Sequence, residues 1–352
     1  MKRRTFLTSV LAGSLVAASL PGLARAADAG FSFDDKKGEH LDVLLDGKVV
    51  TRYMYAHDTS TKERAAETYK PYLHVFDAEG KAPITKGPGG QFTHHRGIFI
   101  GWNKITFEGK SYDRWHMKAG DIVHQSFSGQ KADAAEASFS SNTIWQADKP
   151  DRAIIEEERT MTVRRGGAGR IVIDFTSKLK APNGEVKLDG DPEHAGIHFR
   201  PANEVDLSAG VYVYPKENAD AHKDKDYPWV GQTFKLNGNS YSVVEMSHPT
   251  NPTGTRWSAY RNYGRFGAFP TATIKQGDTL TVKYRFVIAD GPMPSTEAIQ
   301  KSYDEFAGAT TPSPVPMVTV KPAEGSKPSA PKKAPAEGKP TDQPAKAGNP
   351  LK

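Results

Sequence analysis

Short apolar runs bounded by Gly, Pro, Asn or Asp recur along most of the chain, while helical periodicity is scarce. Such runs are typical of β-strands. Residues 41–55 form two of them, and the Asp46-Gly47 pair between the two favours a tight hairpin turn. Further strands are predicted at 70–76, 96–102, 105–107, 121–128, 138–147, 153–164, 170–180, 196–200, 211–214, 240–246, 256–260 and 280–289.

These strands predict an all-β protein built as a large antiparallel β-sandwich, because they follow one another without alternating helices. A short C-terminal helix is predicted at 295–306, where Ile299, Tyr303 and Phe306 recur at helical spacing. No domain boundary and no internal repeat stand out, so we expect a single β-sandwich domain at 27–309.

The two ends differ from this central region. Residues 1–26 combine Arg3-Arg4, an apolar run and a small-residue cleavage pattern, which predicts a twin-arginine signal peptide and a periplasmic location. The apolar run is short for a spanning helix, so we expect no transmembrane segment in the mature chain. Residues 310–352, rich in Lys, Pro and Ala, predict a disordered tail, for which contact with the cell envelope is one role.

The amino-acid composition limits the kinds of functional site that the chain can form. The chain has no Cys, which excludes disulfides, thiolate metal sites and cysteine nucleophiles. Residues 1–26 and 310–352 each contribute +4 to the net charge of +6, which leaves about −2 for 27–309. A partner nucleic acid is therefore not expected. Walker, dinucleotide-binding, nucleophile-elbow and HExxH motifs are all missing from the sequence.

Polar chemistry concentrates in four stretches. The first is a loop that carries His94, His95 and Arg96 into the predicted strand 96–102. Histidine can titrate or bind a metal, and Arg can hold an anion or a sugar hydroxyl, so all three are candidate site residues. Capping of the loop backbone and a surface ion pair are the structural alternative.

The second stretch contains Trp115-His116 and then His124 on the predicted strand 121–128. A single His on a strand is often structural, and a site role is the alternative.

The third stretch places His198 and Arg200 on one strand face, which is either solvated or a polar cleft. Glu204 follows as a candidate catalytic carboxylate. His194 lies four residues before His198, but Gly196 argues against a helical metal pair.

The fourth stretch, 247–264, carries Trp257 among Arg, Asn and Tyr residues. Aromatic rings beside such polar groups are typical of a sugar-binding groove, and hairpin packing accounts for them equally well.

Several strings resemble the bacterial family named methane oxygenase PmoA, which has no assigned function. The resemblance covers roughly 40–300, and its most specific part is the His-His-Arg block. It implies a galactose-mutarotase-like supersandwich that works in carbohydrate metabolism, with His and a carboxylate on the concave face of a large sheet. The strings are KPYLH at 70–74, HHRGIFIGW at 94–102, GDIVH at 120–124 and GDTLTVKYRFVIADG at 277–291.

These residues and the resemblance are compatible with three alternative functions. The first is a periplasmic isomerase, lyase or hydrolase on a small-molecule carbohydrate, in which His95, His124, His198 and Glu204 perform acid–base chemistry. The second is a metal enzyme with a divalent ion on the same three histidines; the cofactor stays open. The third is a non-catalytic carbohydrate-binding or envelope-associated module. The residues predicted to bind substrate are His94, Arg96, Arg200, Trp115, His116 and Trp257.

Overall fold

The computed structural model describes residues 29–325. This part of the chain is mostly β, with two helices, α1 (Lys62–Thr68) and α2 (Thr296–Ala307). Neither helix is long and apolar enough to cross a membrane. The strands are β1 (Phe31–Lys36), β2 (His40–Leu45), β3 (Lys48–Met54), β4 (Tyr72–Val75), β5 (Ile98–Trp102), β6 (Lys104–Phe107), β7 (Lys110–Tyr112), β8 (Ile122–Ala132), β9 (Glu136–Gln146), β10 (Ala153–Arg165), β11 (Ile171–Lys180), β12 (Val186–Asp189), β13 (Ala195–Phe199), β14 (Val211–Tyr214), β15 (Trp229–Leu236), β16 (Asn239–Ser247), β17 (Arg256–Trp257), β18 (Ala268–Phe269), β19 (Ala272–Ile274), β20 (Thr279–Asp290) and β21 (Thr319–Pro322).

Two large sheets form the sandwich. One has six strands in the order β1-β2-β3-β4-β5-β13, and the other has nine in the order β21-β14-β15-β16-β20-β11-β10-β9-β8. A four-stranded sheet, β19-β12-β6-β7, and the pair β17-β18 complete the architecture of the described residues. Neighbouring strands in these sheets pair antiparallel, as the sequence predicts. The all-β antiparallel sandwich with a C-terminal helix is therefore confirmed.

The main core lies between the two large sheets. Tyr53 of β3 packs on Phe139 of β9 with ring centroids 5.4 Å apart, and its hydroxyl donates to Ser141 Oγ at 2.9 Å. Alternation along each strand sends the intervening residues to the opposite face. On the six-stranded sheet that second face carries a small aromatic cluster of its own, Tyr72, Phe99 and Trp115.

A buried ion pair marks the middle of β10. Arg159 donates to Glu157 through Nε at 2.9 Å and Nη2 at 2.8 Å, and both side chains are almost fully buried. Trp145 Nε1 and Ser177 Oγ donate to the same carboxylate at 2.8 and 2.7 Å. The charged groups are thus paired and hydrogen-bonded, as burial requires.

The hairpin predicted around Asp46-Gly47 is confirmed. These two residues connect β2 to β3 with φ values of 52° and 79°. A two-residue turn with both φ values positive matches the right-handed twist of the flanking strands.

Several elements were not predicted from the sequence. The structure adds one helix, α1, and seven strands, β1, β7, β12, β15, β18, β19 and β21. Strand β13 is buried along its whole length, whereas the sequence predicted that one of its faces would be solvated or would line a polar cleft. Strand β21 pairs with β14, so regular structure extends beyond the tail boundary expected at residue 310. The predicted signal peptide and the rest of the predicted tail, residues 326–352, lie outside the described residues.

Candidate metal centre

Five imidazole rings meet above the second face of the six-stranded sheet, beside β5 and β13. We call them the five-histidine cluster. The rings of His94 and His116 lie 4.3 Å apart, those of His116 and His194 lie 5.0 Å apart, and those of His94 and His95 lie 4.4 Å apart. Three separate segments of the chain supply the cluster, whose members are His94, His95, His116, His194 and His198.

Two of these histidines stand in matching loops. In each, an Asp three residues earlier caps the turn with its carboxylate and also binds the imidazole. Asp113 accepts from the backbone N–H of His116 at 2.8 Å, and its Oδ2 lies 2.8 Å from Nδ1 of the ring. Asp191 accepts from the backbone N–H of Glu193 at 3.0 Å and binds Nδ1 of His194 at 2.8 Å.

The carboxylates determine which ring nitrogen is free. Burial alone would raise the pKa of each Asp, but the hydrogen bonds from His116 and His194 lower the pKa of Asp113 and Asp191 to about 2. An ionised carboxylate accepts the proton of Nδ1, so Nε2 carries the lone pair in the neutral ring. Carboxylate–His pairs of this kind orient the ligands of many metal sites.

The third imidazole, His94, is held by its loop. Arg96 is buried and donates to the carbonyl oxygens of His95 and Ala66, both at 2.9 Å, which fastens the loop to α1. Burial, followed by the neighbouring charge of His116, lowers the pKa of His94 to about 2, so the ring is neutral. Its Nε2 is buried and has no hydrogen-bond partner among residues 29–325.

These three residues fit a metal ion. One ligand atom from each of His94, His116 and His194 lies within 4.8 Å of the others. Ligands with bonds of ~2.1 Å to tetrahedral zinc are roughly 3.4 Å apart, so a modest adjustment of the side chains completes the geometry. Three imidazoles leave at least one coordination position open, which is the arrangement of catalytic rather than structural zinc sites.

His95 and His198 form the inner layer of the cluster. His198 binds the carbonyl oxygen of Arg96 through Nε2 at 2.8 Å, whereas neither ring nitrogen of His95 has a partner among the described residues. Burial lowers the pKa of both rings well below the usual value. Trp115 Nε1, next to them, is also buried and unpartnered in the described structure. These orphaned polar atoms are groups that a bound ligand or water would satisfy.

A carboxylate directly precedes one of the three ligands in the sequence. Glu193 precedes His194, and its Oε1 accepts from Tyr260 Oη at 3.0 Å and from Arg261 Nε at 2.9 Å. Although burial opposes ionisation, the bonds from Arg261 hold the pKa of Glu193 below its usual range. The ionised group is therefore fixed in orientation by Tyr260 and Arg261.

A buried lysine separates the centre from a neighbouring cleft. Lys70 donates to the carbonyl oxygen of Trp115 at 2.6 Å, and its Nζ lies 3.6 Å from the centroid of the Phe99 ring. Burial lowers its pKa well below the usual value. The bond to Trp115 fixes the backbone next to His116.

The structure brings most of the predicted site residues together. His94, His95, His116, His198 and Trp115 lie in or against the cluster. Arg96 supports the His94 loop from behind. Arg200 donates to the Pro201 carbonyl oxygen at 2.7 Å and lies over the ring of Tyr263, which in turn packs on His95.

Three predicted residues lie elsewhere. His124 packs on Tyr55 and binds Ser141 Oγ at 2.7 Å, on β8 and away from the other histidines, because its strand belongs to the opposite sheet. Trp257 is 2 % exposed and belongs to the main core. Glu204 is exposed on a loop. The expected metal set of His95, His124 and His198 is therefore not assembled by the structure.

Several site residues went unrecognised in the sequence: His194 as a ligand, Glu193, Lys70, Asp113 and Asp191. A local signal existed, because Asp113-Arg-Trp-His116 and Asp191-Pro-Glu-His194 share the spacing Asp-x-x-His. The spacing allows a capping Asp to reach the imidazole of its own turn.

A model described as "Family of unknown function (DUF6807)" matches residues 40–304. The chain belongs to this family. The expected membership of the methane oxygenase PmoA family is therefore wrong. No curated protein matches the chain in sequence.

Three solved structures are among those to which this chain is similar. The heparan sulfate lyase HepC mutant from Pedobacter heparinus is 9% identical over 74% of this chain and 36% of its own, with a TM-score of 0.38. The GalM/aldose epimerase homologue from C. elegans is 10% identical over 75% of this chain and 100% of its own, with a TM-score of 0.32. The α-galactosidase from Lactobacillus brevis is 8% identical over 79% of this chain and 41% of its own, with a TM-score of 0.39. All three names refer to carbohydrate chemistry, and the chain spans well under half of the lyase and the galactosidase.

Proposed function

We propose that the chain is an exported, carbohydrate-acting enzyme that holds a divalent metal ion on His94, His116 and His194. One observation carries the proposal: the ligand atoms of these side chains lie within 4.8 Å of one another. The aspartates bound to two of the three rings support it, because carboxylate–His hydrogen bonds of this kind orient the ligands of metal sites. Imidazole donors suit zinc and its first-row neighbours better than magnesium or calcium.

The open coordination position would be where catalysis takes place. A metal held by His94, His116 and His194 would polarise a bound carbonyl or hydroxyl group and make bound water more acidic. Around it, Trp115 and His95 offer unpartnered polar atoms to a substrate. Glu193 supplies an ionised carboxylate whose orientation Tyr260 and Arg261 hold, and we assign it the proton-accepting role that the sequence suggested for Glu204.

Aromatic residues beside the five-histidine cluster support a carbohydrate as the substrate. Phe92 and Tyr263 pack together with ring centroids 4.8 Å apart, and Phe92 also packs on His95 at 5.3 Å. Aromatic faces beside hydrogen-bonding groups suit the C–H face and the hydroxyls of a sugar. The predicted twin-arginine signal would deliver the folded, metal-loaded protein to the periplasm.

Metal analysis tests the proposal directly. The untagged, exported protein is purified without chelator, dialysed with Zn²⁺, Mn²⁺, Fe²⁺ or Ni²⁺, and measured by mass spectrometry. We expect about one equivalent of one metal in the wild type and less than ~0.1 in the double variant His116→Ala, His194→Ala. His124→Ala and His222→Ala, which change histidines outside the cluster, are the controls and should retain the metal.

Turnover is the second part of the test. A panel of chromogenic glycosides and reducing sugars is assayed before and after chelation. Metal-dependent turnover supports the proposal. Less than ~0.1 equivalent of every metal in the wild type contradicts the proposal. Turnover that does not depend on metal would instead show that the histidines act as general acids and bases.

A further inference from the structure

A cleft of about 300 Å³ opens on the second face of the six-stranded sheet, beyond Lys70. Its floor is formed by alternating residues of β4 and its continuation, Tyr72, His74 and Phe76, with Arg52 and Met54 of β3 beside them. Helix α1 and the loop around Pro83 and Pro88 form the walls. This volume is at the lower end of the range for small-molecule sites.

The floor contains polar atoms that the protein does not satisfy. Tyr72 is 2 % exposed, and its hydroxyl has no hydrogen-bond partner among residues 29–325. Next to it, Thr85 Oγ1 lies 2.9 Å from Nδ1 of His74, which leaves Nε2 for another partner. Burial lowers the pKa of His74 to about 3, so the ring is neutral. A buried hydroxyl without a partner is rare in folded proteins and points to a missing ligand or water.

Gly87 keeps the space over these atoms open. A Cβ at this position would lie 3.5 Å from Nε2 of His74 and 3.9 Å from the hydroxyl of Tyr72. The backbone there does not need a positive φ, so glycine is not required for the turn itself. Its lack of a side chain instead leaves the space next to these two polar atoms unfilled.

Both arginines that line the cleft are already paired with carboxylates. Arg52 binds Asp42 with two hydrogen bonds of 2.6 and 2.8 Å. Arg64 binds Glu39 and Asp58 at 3.1 Å. An anionic ligand would have to compete with these carboxylates, whereas an uncharged one would not. Aromatic edges with a free hydroxyl and a free imidazole nitrogen suit a ring that has both C–H and hydroxyl groups.

We propose that this cleft binds one uncharged glycosyl unit, with its hydroxyls on Tyr72 and His74. The inference rests on the proposed function for its ligand class, since it takes the ligand to be a carbohydrate. Lys70 lines the cleft and also binds the backbone beside His116, so this one side chain stands between the cleft and the metal centre. We assign the cleft to a glycosyl unit other than the one that reacts.

Calorimetric titration of the mature chain with maltose, cellobiose, lactose and trehalose, each to about 20 mM, tests the inference. We expect at least one disaccharide to bind. Tyr72→Phe should weaken that binding about fivefold or more through the loss of one hydrogen bond. Gly87→Val should abolish it by filling the space over Nε2 of His74. Tyr284→Phe is the matched control, because it removes another buried, unpartnered hydroxyl that lies in the main core.

The outcomes separate this inference from the proposed function. If the double variant His116→Ala, His194→Ala loses its metal but still binds the disaccharide in the cleft, both proposals hold. If the wild type binds none of the four sugars, or if Tyr72→Phe and Gly87→Val bind as the wild type does, the cleft is not a glycosyl subsite, whatever the metal content. Disaccharide binding in a protein that takes up no metal would support the cleft alone.

Discussion

Nδ1 of His116 lies 2.8 Å from Oδ2 of Asp113, and the same carboxylate caps the turn on which His116 stands. One side chain therefore fixes both the backbone and the ring of a proposed metal ligand. Asp191 repeats the arrangement for His194 at the same distance, 2.8 Å. The repetition on two unrelated loops indicates that ring orientation, rather than simple proximity, is what these turns provide.

We predict that Asp113→Asn weakens metal binding by about 10- to 100-fold. The amide cannot act as an ionised acceptor, so the ring of His116 loses its fixed tautomer. A competition titration against a chromogenic chelator measures the change. Asp148→Asn, at an exposed ion pair with Lys110, is the control and should bind metal as the wild type does. Unchanged affinity in Asp113→Asn would show that the pair serves only the turn.

Metal removal should destabilise the fold. At a free metal concentration of about one hundred times Kd, binding contributes about 2.7 kcal/mol, which corresponds to roughly 4 °C in Tm for a domain of this size. Differential scanning calorimetry with and without EDTA measures this shift. The double variant His116→Ala, His194→Ala should show no response to EDTA. An equal shift in Tm in the variant would show that the metal binds at a different site.

Glu245 should make stability fall as the pH rises. It is fully buried, its Oε1 accepts from the N–H of Ala268 at 3.1 Å, and its Oε2 has no partner in the described chain. Burial raises its pKa well above 4.5. The folded protein therefore keeps a proton that the unfolded chain releases above pH 4.5. As the pH rises above that value, the free energy of unfolding falls by about 1.4 kcal/mol per pH unit until the folded-state pKa is reached.

Glu245→Gln removes this titration while it retains the acceptor for Ala268. We expect the variant to be more stable than the wild type at pH 8 and close to it at pH 4. Urea unfolding followed by tryptophan fluorescence at both pH values gives the comparison. A gain that is equal at the two pH values would mean that Glu245 does not hold a proton in the folded state.

Breaking the buried pair in β10 should be costly. Arg159→Met leaves the carboxylate of Glu157 without its cation in the core, and we expect a loss of about 3–5 kcal/mol in the free energy of unfolding. The double variant Glu157→Leu, Arg159→Met removes both charges and should recover most of that loss. Urea denaturation measures both. A double variant less stable than Arg159→Met alone would contradict this account.

Gly196 is expected to be irreplaceable in β13. Its φ is 77°, and a Cβ would lie 2.0 Å from the carbonyl oxygen of Ala268, which is shorter than any real contact. Gly196→Ala should therefore shift the strand that carries His198 and lower the Tm by several degrees. Gly238→Ala has a similar φ of 81° but meets no atom within 4 Å, so it isolates the cost of the backbone conformation. Equal Tm values for the two variants would rule out the steric explanation.

The alternating patterns of β9, β10 and most of β11 made three adjacent strands of the nine-stranded sheet predictable. Along most of their length every second residue enters the core, and a period of two is visible in the sequence itself. The Asp46-Gly47 turn was predictable because a positive φ at both positions selects such residues. Strand β15 was missed because the buried Gln232 and the half-buried Thr233 interrupt its apolar pattern.

The sequence alone determined the class of fold, the place of the C-terminal helix and the residue types available for chemistry. These properties depend on neighbours along the chain, through backbone preference and hydrophobic periodicity. Only the tertiary structure decided which histidines meet. His94, His116 and His194 come from loops separated by many residues, and only the folded structure brings the centroids of their rings within 4.3–5.6 Å of one another. The same packing placed His124 on the other sheet, because register and sheet order depend on long-range contacts that a linear pattern does not record.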